Sequence, residues 1–254
     1  MKTVFMIHGM FGGSWYWGNF KDYFERQGYN CVIPTLRYHD VPPDSAPDPR
    51  LGTTGLLDYA ADLEREIKKL KEPPIVMGHS MGGLLSQILG SRGLAKALVL
   101  LTPAAPAGIL PMKFSVMRSF AEVAVRPGFW SKPFRLSPKT VAYSITNLKT
   151  PSEQQAIYSK LVHESGRALF QLGLWFFDST KSSAVDQEKV KCPVLVISGK
   201  EDRIVPASVV KQVAEKYGDL ADYREYENHA HWLIDEQGWE DIAHDIDGWL
   251  QNKL

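Results

Sequence analysis

Short runs of apolar residues recur along the chain, and each ends at Gly, Pro, Ser or Thr. Because these runs do not alternate with polar positions, they are typical of strands covered on both faces of a sheet. Five such runs lie at residues 4–7, 30–33, 75–77, 97–101 and 194–197. A sixth run, 223–226, is more polar and is expected to form an edge strand.

Stretches with helical spacing of apolar residues separate these runs. They lie at residues 15–27, 54–70, 81–90, 207–217 and 239–250, with residues at their ends that suit helix caps. Strands that alternate with helices indicate a parallel sheet wound with right-handed crossovers. We therefore predict the α/β class, with a mostly parallel six-stranded sheet and helices on both faces.

One interval breaks the alternation. No strand is predicted between Pro103 and Lys191, where prolines punctuate helical stretches rich in large apolar residues. We expect residues 106–185 to form a helical cap inserted into a core of residues 1–105 and 186–254. Most of the large side chains of this interval are expected to form its own core, and some to line a pocket below it. They are Phe114, Met117, Phe120, Phe129, Trp130, Phe134, Leu169, Phe170, Leu174, Trp175, Phe176 and Phe177.

Composition narrows the function classes. The 254 residues carry 29 basic and 29 acidic side chains, so the formal net charge of zero argues against a nucleic-acid partner. No stretch approaches the roughly 20 apolar residues of a membrane span, and the first apolar run is too short for a signal peptide. The two cysteines, Cys31 and Cys192, are expected to be buried thiols in a reducing cytoplasm. No zinc-ligand spacing, P-loop or G-x-G-x-x-G pattern occurs, so no metal or nucleotide cofactor is indicated.

A candidate nucleophile lies at the third strand. Residues 78–82 read Gly-His-Ser-Met-Gly, which fits G-x-S-x-G between a predicted strand and a predicted helix. A turn tight enough to present the Ser80 hydroxyl needs small residues two positions before and after it. The amino end of the following helix then offers backbone N–H groups to a developing oxyanion. The structural alternative is a glycine-rich helix start at which Ser80 only caps the helix.

A nucleophilic serine requires a base, and the base requires an orienting acid. Asp202 follows the fifth apolar run, and His231 follows the sixth. The three groups Ser80, Asp202 and His231 would all lie at the carboxyl edge of one parallel sheet, where open α/β folds place their sites.

Neighbouring residues leave alternatives for these roles. Glu201 adjoins the candidate acid, His229 lies in the same predicted loop as the candidate base, and His79 precedes the nucleophile. His79 is expected to pack rather than to react. Three further histidines lack comparable context and are expected to be solvated or structural: His39, His163 and His244.

In four segments the chain resembles the α/β-hydrolase superfamily. Residues 8–13 resemble its H-G loop, 199–206 its G-x-x-D-x-x-V-P segment and 231–232 its H-W segment, in addition to the serine motif. The resemblance implies that Asp202 is the acid and His231 the base. It also implies that the backbone N–H groups of Met10 and Met81 form an oxyanion hole.

The resemblance extends to a branch of the superfamily. The first core strand begins near the start of the sequence, and residues 13–17 resemble the short, cap-containing esterase and hydroxynitrile-lyase branch. Lyases of that branch have threonine at the position of Gly9 and lysine at that of Trp232, so lyase activity is disfavoured. Ser80 in place of an aspartate argues against a dehalogenase or epoxide hydrolase.

The expected activity is a cofactor-independent carboxylesterase acting on small, mainly apolar esters. A C–C bond hydrolase, thioesterase, lactonase or perhydrolase would use the same residues, and only the pocket would distinguish them. Some members of the superfamily keep the triad but act as small-molecule receptors, which remains a different class of function.

Overall fold

The computed structural model describes residues 2–110 and 113–254. Its main sheet consists of six strands: β1 (Thr3–Ile7), β2 (Asn30–Val32), β3 (Ile75–His79), β4 (Ala97–Leu101), β7 (Val194–Gly199) and β8 (Ala221–Tyr226). Every neighbouring pair is parallel, and the order across the sheet is β2-β1-β3-β4-β7-β8. The predicted α/β class and six-stranded sheet are confirmed.

Burial explains why the apolar runs form these strands. All residues of β3, β4 and β7 are buried, as expected for strands covered on both faces. The residues of β8 are only half-buried or exposed, and this strand lies at one edge of the sheet, as its more polar sequence predicts. Helices cover both faces, with α1 (Gly18–Arg26) against α9 (Trp239–Lys253) and α2 (Leu56–Ile67) against α3 (Met81–Ser91).

The helix predictions hold with small shifts of their ends. The first predicted helix is divided, because a 3-10 turn at Ser14–Trp17 precedes α1. The helix predicted at 207–217 corresponds to α8 (Ala207–Glu215). Both cysteines are free and only half-buried, so the expectation of buried thiols is wrong. Within residues 2–110 and 113–254, no helix has the length and apolar character needed to cross a membrane.

Between β4 and β7, helices are the main regular structure of the described residues. This interval contains α4 (Phe114–Ala124), α5 (Pro138–Ser144), α6 (Pro151–Tyr158) and α7 (Gly166–Gly173). It also contains two antiparallel strands of two residues each, β5 (Pro133–Phe134) and β6 (Glu164–Ser165), where the sequence predicted none. Two-residue strands are too short to produce a hydrophobic period, which is why the pattern missed them.

The large apolar side chains of this interval are less buried than expected. Five of the twelve candidates are exposed: Phe114, Met117, Trp130, Phe176 and Phe177. Three of them, Phe114, Trp130 and Phe177, neither pack into a core nor line the cavity described below, so for these three the expectation is wrong. The other two, Met117 and Phe176, line that cavity, so they face open space rather than packed neighbours.

Candidate active site

Ser80 lies in a strained turn between β3 and α3. Its backbone has φ +56° and ψ −122°, in a region that non-glycine residues rarely adopt. The turn is closed by backbone hydrogen bonds, since the Ser80 N–H donates to the Leu101 carbonyl (3.0 Å) and the Ala104 N–H donates to the Ser80 carbonyl (2.9 Å). The neighbouring strand β4 therefore fixes the position at which this serine is presented.

Two glycines make the turn possible. A Cβ atom at Gly78 would overlap the Gly82 carbonyl and the Ser86 hydroxyl, and one at Gly82 would overlap the Ile7 carbonyl at the end of β1. Neither position accepts any side chain without movement of backbone. This close approach is the physical reason for the glycine spacing on either side of Ser80.

The structure brings Ser80, His231 and Asp202 into one hydrogen-bonded row. The Ser80 hydroxyl lies 3.0 Å from His231 Nε2, and His231 Nδ1 lies 2.8 Å from Asp202 Oδ2. His231 and Asp202 are almost fully buried. Ser80 precedes the first residue of α3, but its side chain makes no helix-capping hydrogen bond, so the capping alternative does not describe it.

Asp202 is held in one orientation by backbone donors. Its Oδ1 accepts hydrogen bonds from the N–H groups of Ile204 and Val205, both at 2.8 Å, while Oδ2 faces His231. With both oxygens occupied, the carboxylate can stabilise an imidazolium at His231 and keep Nε2 directed at Ser80.

The alternatives within the two loops lie elsewhere. The Glu201 side chain is exposed, although its backbone N–H donates to the His229 carbonyl. His229 is buried against Tyr226, and neither of its ring nitrogens has a hydrogen-bond partner among the described residues. Of the candidates for acid and base, only Asp202 and His231 are joined to Ser80.

His79 supports the candidate base from below. Its Nε2–H donates to the His231 carbonyl at 2.7 Å, and its ring lies 4.9 Å from the His231 ring. Burial, together with the neighbouring His231, lowers the pKa of His79 to about 3, so this imidazole stays neutral at physiological pH. Its role is to hold the loop that carries His231, in agreement with the packing role expected from the sequence.

Glu236 is a second buried group behind His231. Its Oε2 accepts a hydrogen bond from the Ala230 N–H at 2.7 Å, and its Oε1 has no partner among the described residues. Burial raises the pKa of Glu236 to about 7, and the Asp202 carboxylate acts in the same direction. Nothing in the sequence pattern singled out this residue, because it belongs to none of the recognised motifs.

The loop after β1 lies beside Ser80. A Cβ atom at Gly9 would approach the Ser80 Cβ to 2.9 Å, which shows how closely this loop passes the serine. Met10 and Met81 both line the same cavity as Ser80. Met81 is the first residue of α3, where backbone N–H groups have no partner within the helix.

A cavity of about 530 Å³ opens in front of Ser80. Few of its lining side chains are polar; they include Tyr16, His79, Ser80 and His231. The described residues that line it include no Asp, Glu, Lys or Arg. Residues of the interval between β4 and β7 form much of the remaining wall: Ile109, Leu110, Val116, Met117, Phe120, Ala124, Phe129, Ile145, Leu169, Leu172, Gly173, Leu174 and Phe176. Among the described residues, no three His, Cys, Asp or Glu side chains form a group able to hold a metal ion.

Comparison with solved structures gives several similar folds at low identity. A monoacylglycerol lipase from Paleococcus ferrophilus has a TM-score of 0.72 and 22% identity, over 99% of this chain and 95% of that one. A methylesterase from Arabidopsis has a TM-score of 0.72 and 14% identity, over 98% of each chain. An extracellular α/β-hydrolase from a Paenibacillus species has a TM-score of 0.72 and 17% identity, over 96% of this chain and 97% of that one. A search of curated protein sequences gives no match.

The sequence itself carries the family relationship. A sequence model described as the alpha/beta hydrolase family matches residues 4–245, which include every strand of the main sheet except the first residue of β1. The matched region also contains the serine turn and both loops that face it. The parallel sheet, the strained serine after β3 and this match agree, and the chain belongs to the alpha/beta hydrolase family.

Proposed function

We propose that the protein is a serine hydrolase that cleaves carboxylic esters of neutral, mainly apolar substrates. One observation carries the proposal: the hydroxyl of a strained, cavity-facing serine is hydrogen-bonded to a buried imidazole, which is hydrogen-bonded to a buried carboxylate. The fold alone does not select this reaction, since one fold hosts many chemistries. The similar structures include a lipase and a methylesterase, which agrees with an ester substrate.

The first half of the proposed reaction forms an acyl-enzyme. Ser80 Oγ attacks the ester carbonyl carbon while its proton passes to His231 Nε2, 3.0 Å away. Asp202 stabilises the resulting imidazolium through Nδ1–H. In this proposal the Met10 and Met81 N–H groups bind the oxyanion, and removing one such donor costs on the order of 10²–10³ in rate. The tetrahedral intermediate collapses as His231 gives its proton to the departing alcohol.

The second half releases the acid. Water takes the place of the alcohol and loses a proton to His231 Nε2 as it attacks the acyl carbon. The second tetrahedral intermediate then expels Ser80, which recovers its proton from His231. The apolar cavity suits a hydrocarbon acyl or alcohol group, because the described residues of its wall include no Asp, Glu, Lys or Arg. We further propose that residues 106–185 act as the cap that completes this wall.

Replacing the nucleophile tests the proposal. The variant Ser80→Ala should lower kcat for 4-nitrophenyl hexanoate by at least about 10⁴-fold, because no other group can form the acyl-enzyme. Ser91→Ala is the matched control: Ser91 ends the same helix, and its hydroxyl only donates to the Ile88 carbonyl. That control should retain wild-type kcat and the same circular dichroism spectrum. Full activity of Ser80→Ala would contradict the mechanism.

A further inference from the structure

Glu164 is a buried charge that the proposed reaction does not use. It lies in β6, on the chain between β4 and β7, and its side chain is completely buried. Its Oε2 is 3.0 Å from Nε2 of His39, which is also completely buried and follows β2. A buried ion pair is weak evidence for stability, since desolvation offsets the attraction. One contact of Glu164 reaches the loop after β1, beside Ser80.

The carboxylate of Glu164 has four partners divided between its two oxygens. Oε1 accepts from the Ser165 N–H (2.6 Å) and the Tyr59 hydroxyl (2.9 Å). Oε2 accepts from His39 and from the Phe11 N–H (3.3 Å). Oε2 is thus the oxygen that reaches the loop after β1.

Phe11 is held on both sides by the same stretch of chain. Its N–H donates to Glu164, and its carbonyl accepts from the Val162 N–H at 2.9 Å. The backbone of Phe11 has φ +65°, a left-handed conformation that is strained for a residue with a side chain. External hydrogen bonds of this kind are what keeps a non-glycine residue in such a conformation.

Together with two further hydrogen bonds, the contact of Phe11 with Glu164 fixes the peptide groups on either side of Met10. The carbonyl before it, that of Gly9, accepts from His8 Nδ1–H at 2.8 Å. The Met10 carbonyl accepts from the Tyr16 hydroxyl at 2.7 Å, and the following N–H, that of Phe11, donates to Glu164. Three of the four polar groups in the two peptide units that flank the Met10 Cα are therefore fixed. The fourth is the Met10 N–H, the proposed oxyanion donor.

The surroundings favour a charged carboxylate at this place. Burial alone would raise the pKa of Glu164, but His39 and the hydrogen bonds outweigh it and lower that pKa. Burial alone would lower the pKa of His39, but the Glu164 carboxylate outweighs it and raises that pKa. His8, whose ring lies 5.5 Å from that of His39, has its pKa lowered to about 3 by burial and by His39, and stays neutral. The neighbouring Glu164 carboxylate thus favours the protonated form of His39.

We propose that Glu164 is a positioning residue: its His39-anchored carboxylate fixes the Phe11 N–H and so keeps the Met10 N–H directed at the oxyanion. The inference rests on the proposed ester hydrolysis. An oxyanion donor acts mainly on the transition state, so its misplacement lowers kcat and leaves substrate binding nearly unchanged. If the ion pair were purely structural, its loss would lower the fraction of folded protein and leave kcat per active site unchanged.

The test compares two variants that alter opposite oxygens of one carboxylate. In Glu164→Gln, the single amide oxygen satisfies the closer pair Ser165 N–H and Tyr59, which leaves an NH₂ group facing the Phe11 N–H. Tyr59→Phe, the matched control, removes a partner of Oε1 only. Activity on 4-nitrophenyl hexanoate is divided by the number of active sites titrated with a fluorophosphonate, so unfolded protein does not count.

We expect Glu164→Gln to lower kcat per active site at least tenfold with KM within twofold. Its affinity for hexylboronic acid, which forms a tetrahedral adduct on the serine, should fall by a similar factor. Tyr59→Phe should keep kcat per active site within twofold of wild type. Should Glu164→Gln not fold, His39→Gln, which removes the imidazole that contacts Oε2, should lower kcat per active site at least threefold.

Two results would overturn the inference. One is an unchanged kcat per active site in Glu164→Gln, or in His39→Gln where that variant replaces it. The other is an equal fall in Glu164→Gln and Tyr59→Phe, which would show a general structural role of the carboxylate. A wild-type protein that hydrolyses no ester would contradict the proposed function and the inference together, whereas an active wild type with either result contradicts the inference alone.

Discussion

Glu236 illustrates how single buried residues shape the surroundings of the candidate site. It is 2% exposed and lies in the loop that carries His231, where its Oε2 binds the Ala230 N–H. Burial raises its pKa to about 7, whereas burial lowers the pKa of His79, whose ring lies 4.9 Å from that of His231, to about 3. At neutral pH His79 is thus uncharged, while Glu236 lies near the midpoint of its titration.

The raised pKa of Glu236 predicts a pH-dependent stability difference. Its folded pKa of about 7 exceeds the ordinary value of 4.5, so the folded state binds more protons between those values and this contribution to stability is lost as pH rises through 7. Relative to wild type, Glu236→Gln should gain about 3 kcal/mol of unfolding free energy between pH 4.5 and pH 8, as an upper value. Urea unfolding at both pH values measures the gain. A difference that is constant with pH would contradict the assignment.

At the scale of elements, the hydrophobic pattern predicted the strands and helices that are long enough to show a recognisable run or period of apolar residues. The strands of the main sheet are buried apolar runs, so they could be located to within one or two residues of their ends. The candidate triad could be assembled because Ser80, Asp202 and His231 each follow a strand of one parallel sheet. The sequence thus predicted the sheet, most helices and the three side chains that the structure joins by hydrogen bonds.

Other features of the structure could not be predicted, and each has a physical reason. The strands β5 and β6 are too short to show a period. Glu164 and His39 are 125 residues apart and belong to no motif, so only the folded chain brings them together. Large apolar residues such as Phe114 indicate burial by type, but this one is 73% exposed at the start of α4. Residue type alone does not tell a buried apolar side chain from an exposed one.

The orientation of α4 predicts different effects for two valines at its carboxyl end. Val123 is fully buried and Val125 is 78% exposed. Val123→Ala should lower the unfolding free energy by about 2 kcal/mol, because it removes buried methyl groups and leaves a cavity. Val125→Ala should change it by less than about 0.5 kcal/mol. Chemical denaturation of both variants gives the comparison, and equal effects would show that α4 is rotated about its axis.

At the scale of the whole molecule, the sheet and the interval between β4 and β7 meet around one apolar cavity. Loops at the carboxyl edge of the sheet supply Ser80 and His231 to the cavity lining, and α4 and α7 supply much of the apolar wall. A formal net charge of zero agrees with such a cavity, because a neutral substrate needs no steering field. Selectivity should therefore depend on the burial of the acyl chain.

A matched pair of esters tests this cavity. The 4-nitrophenyl ester of hexanoic acid and the mono-4-nitrophenyl ester of adipic acid share a leaving group and a six-carbon acyl chain, but the second ends in a carboxylate. Burying that charge is costly, because no Lys or Arg is among the described residues of the wall. We therefore expect kcat/KM to be at least about 100-fold lower for the adipate ester. Steady-state kinetics with both esters measures the ratio, and similar values would place the acyl chain in solvent instead.

The central claim is that Ser80 is an activated nucleophile, and covalent labelling tests it most directly. A fluorophosphonate at stoichiometric concentration should modify one residue per chain, and peptide mapping should identify it as Ser80. Labelling should be absent in Ser80→Ala and at least 100-fold slower in His231→Ala, which lacks the base 3.0 Å from the hydroxyl. An unmodified Ser80 at high reagent excess, or equal labelling of wild type and Ser80→Ala, would contradict the account.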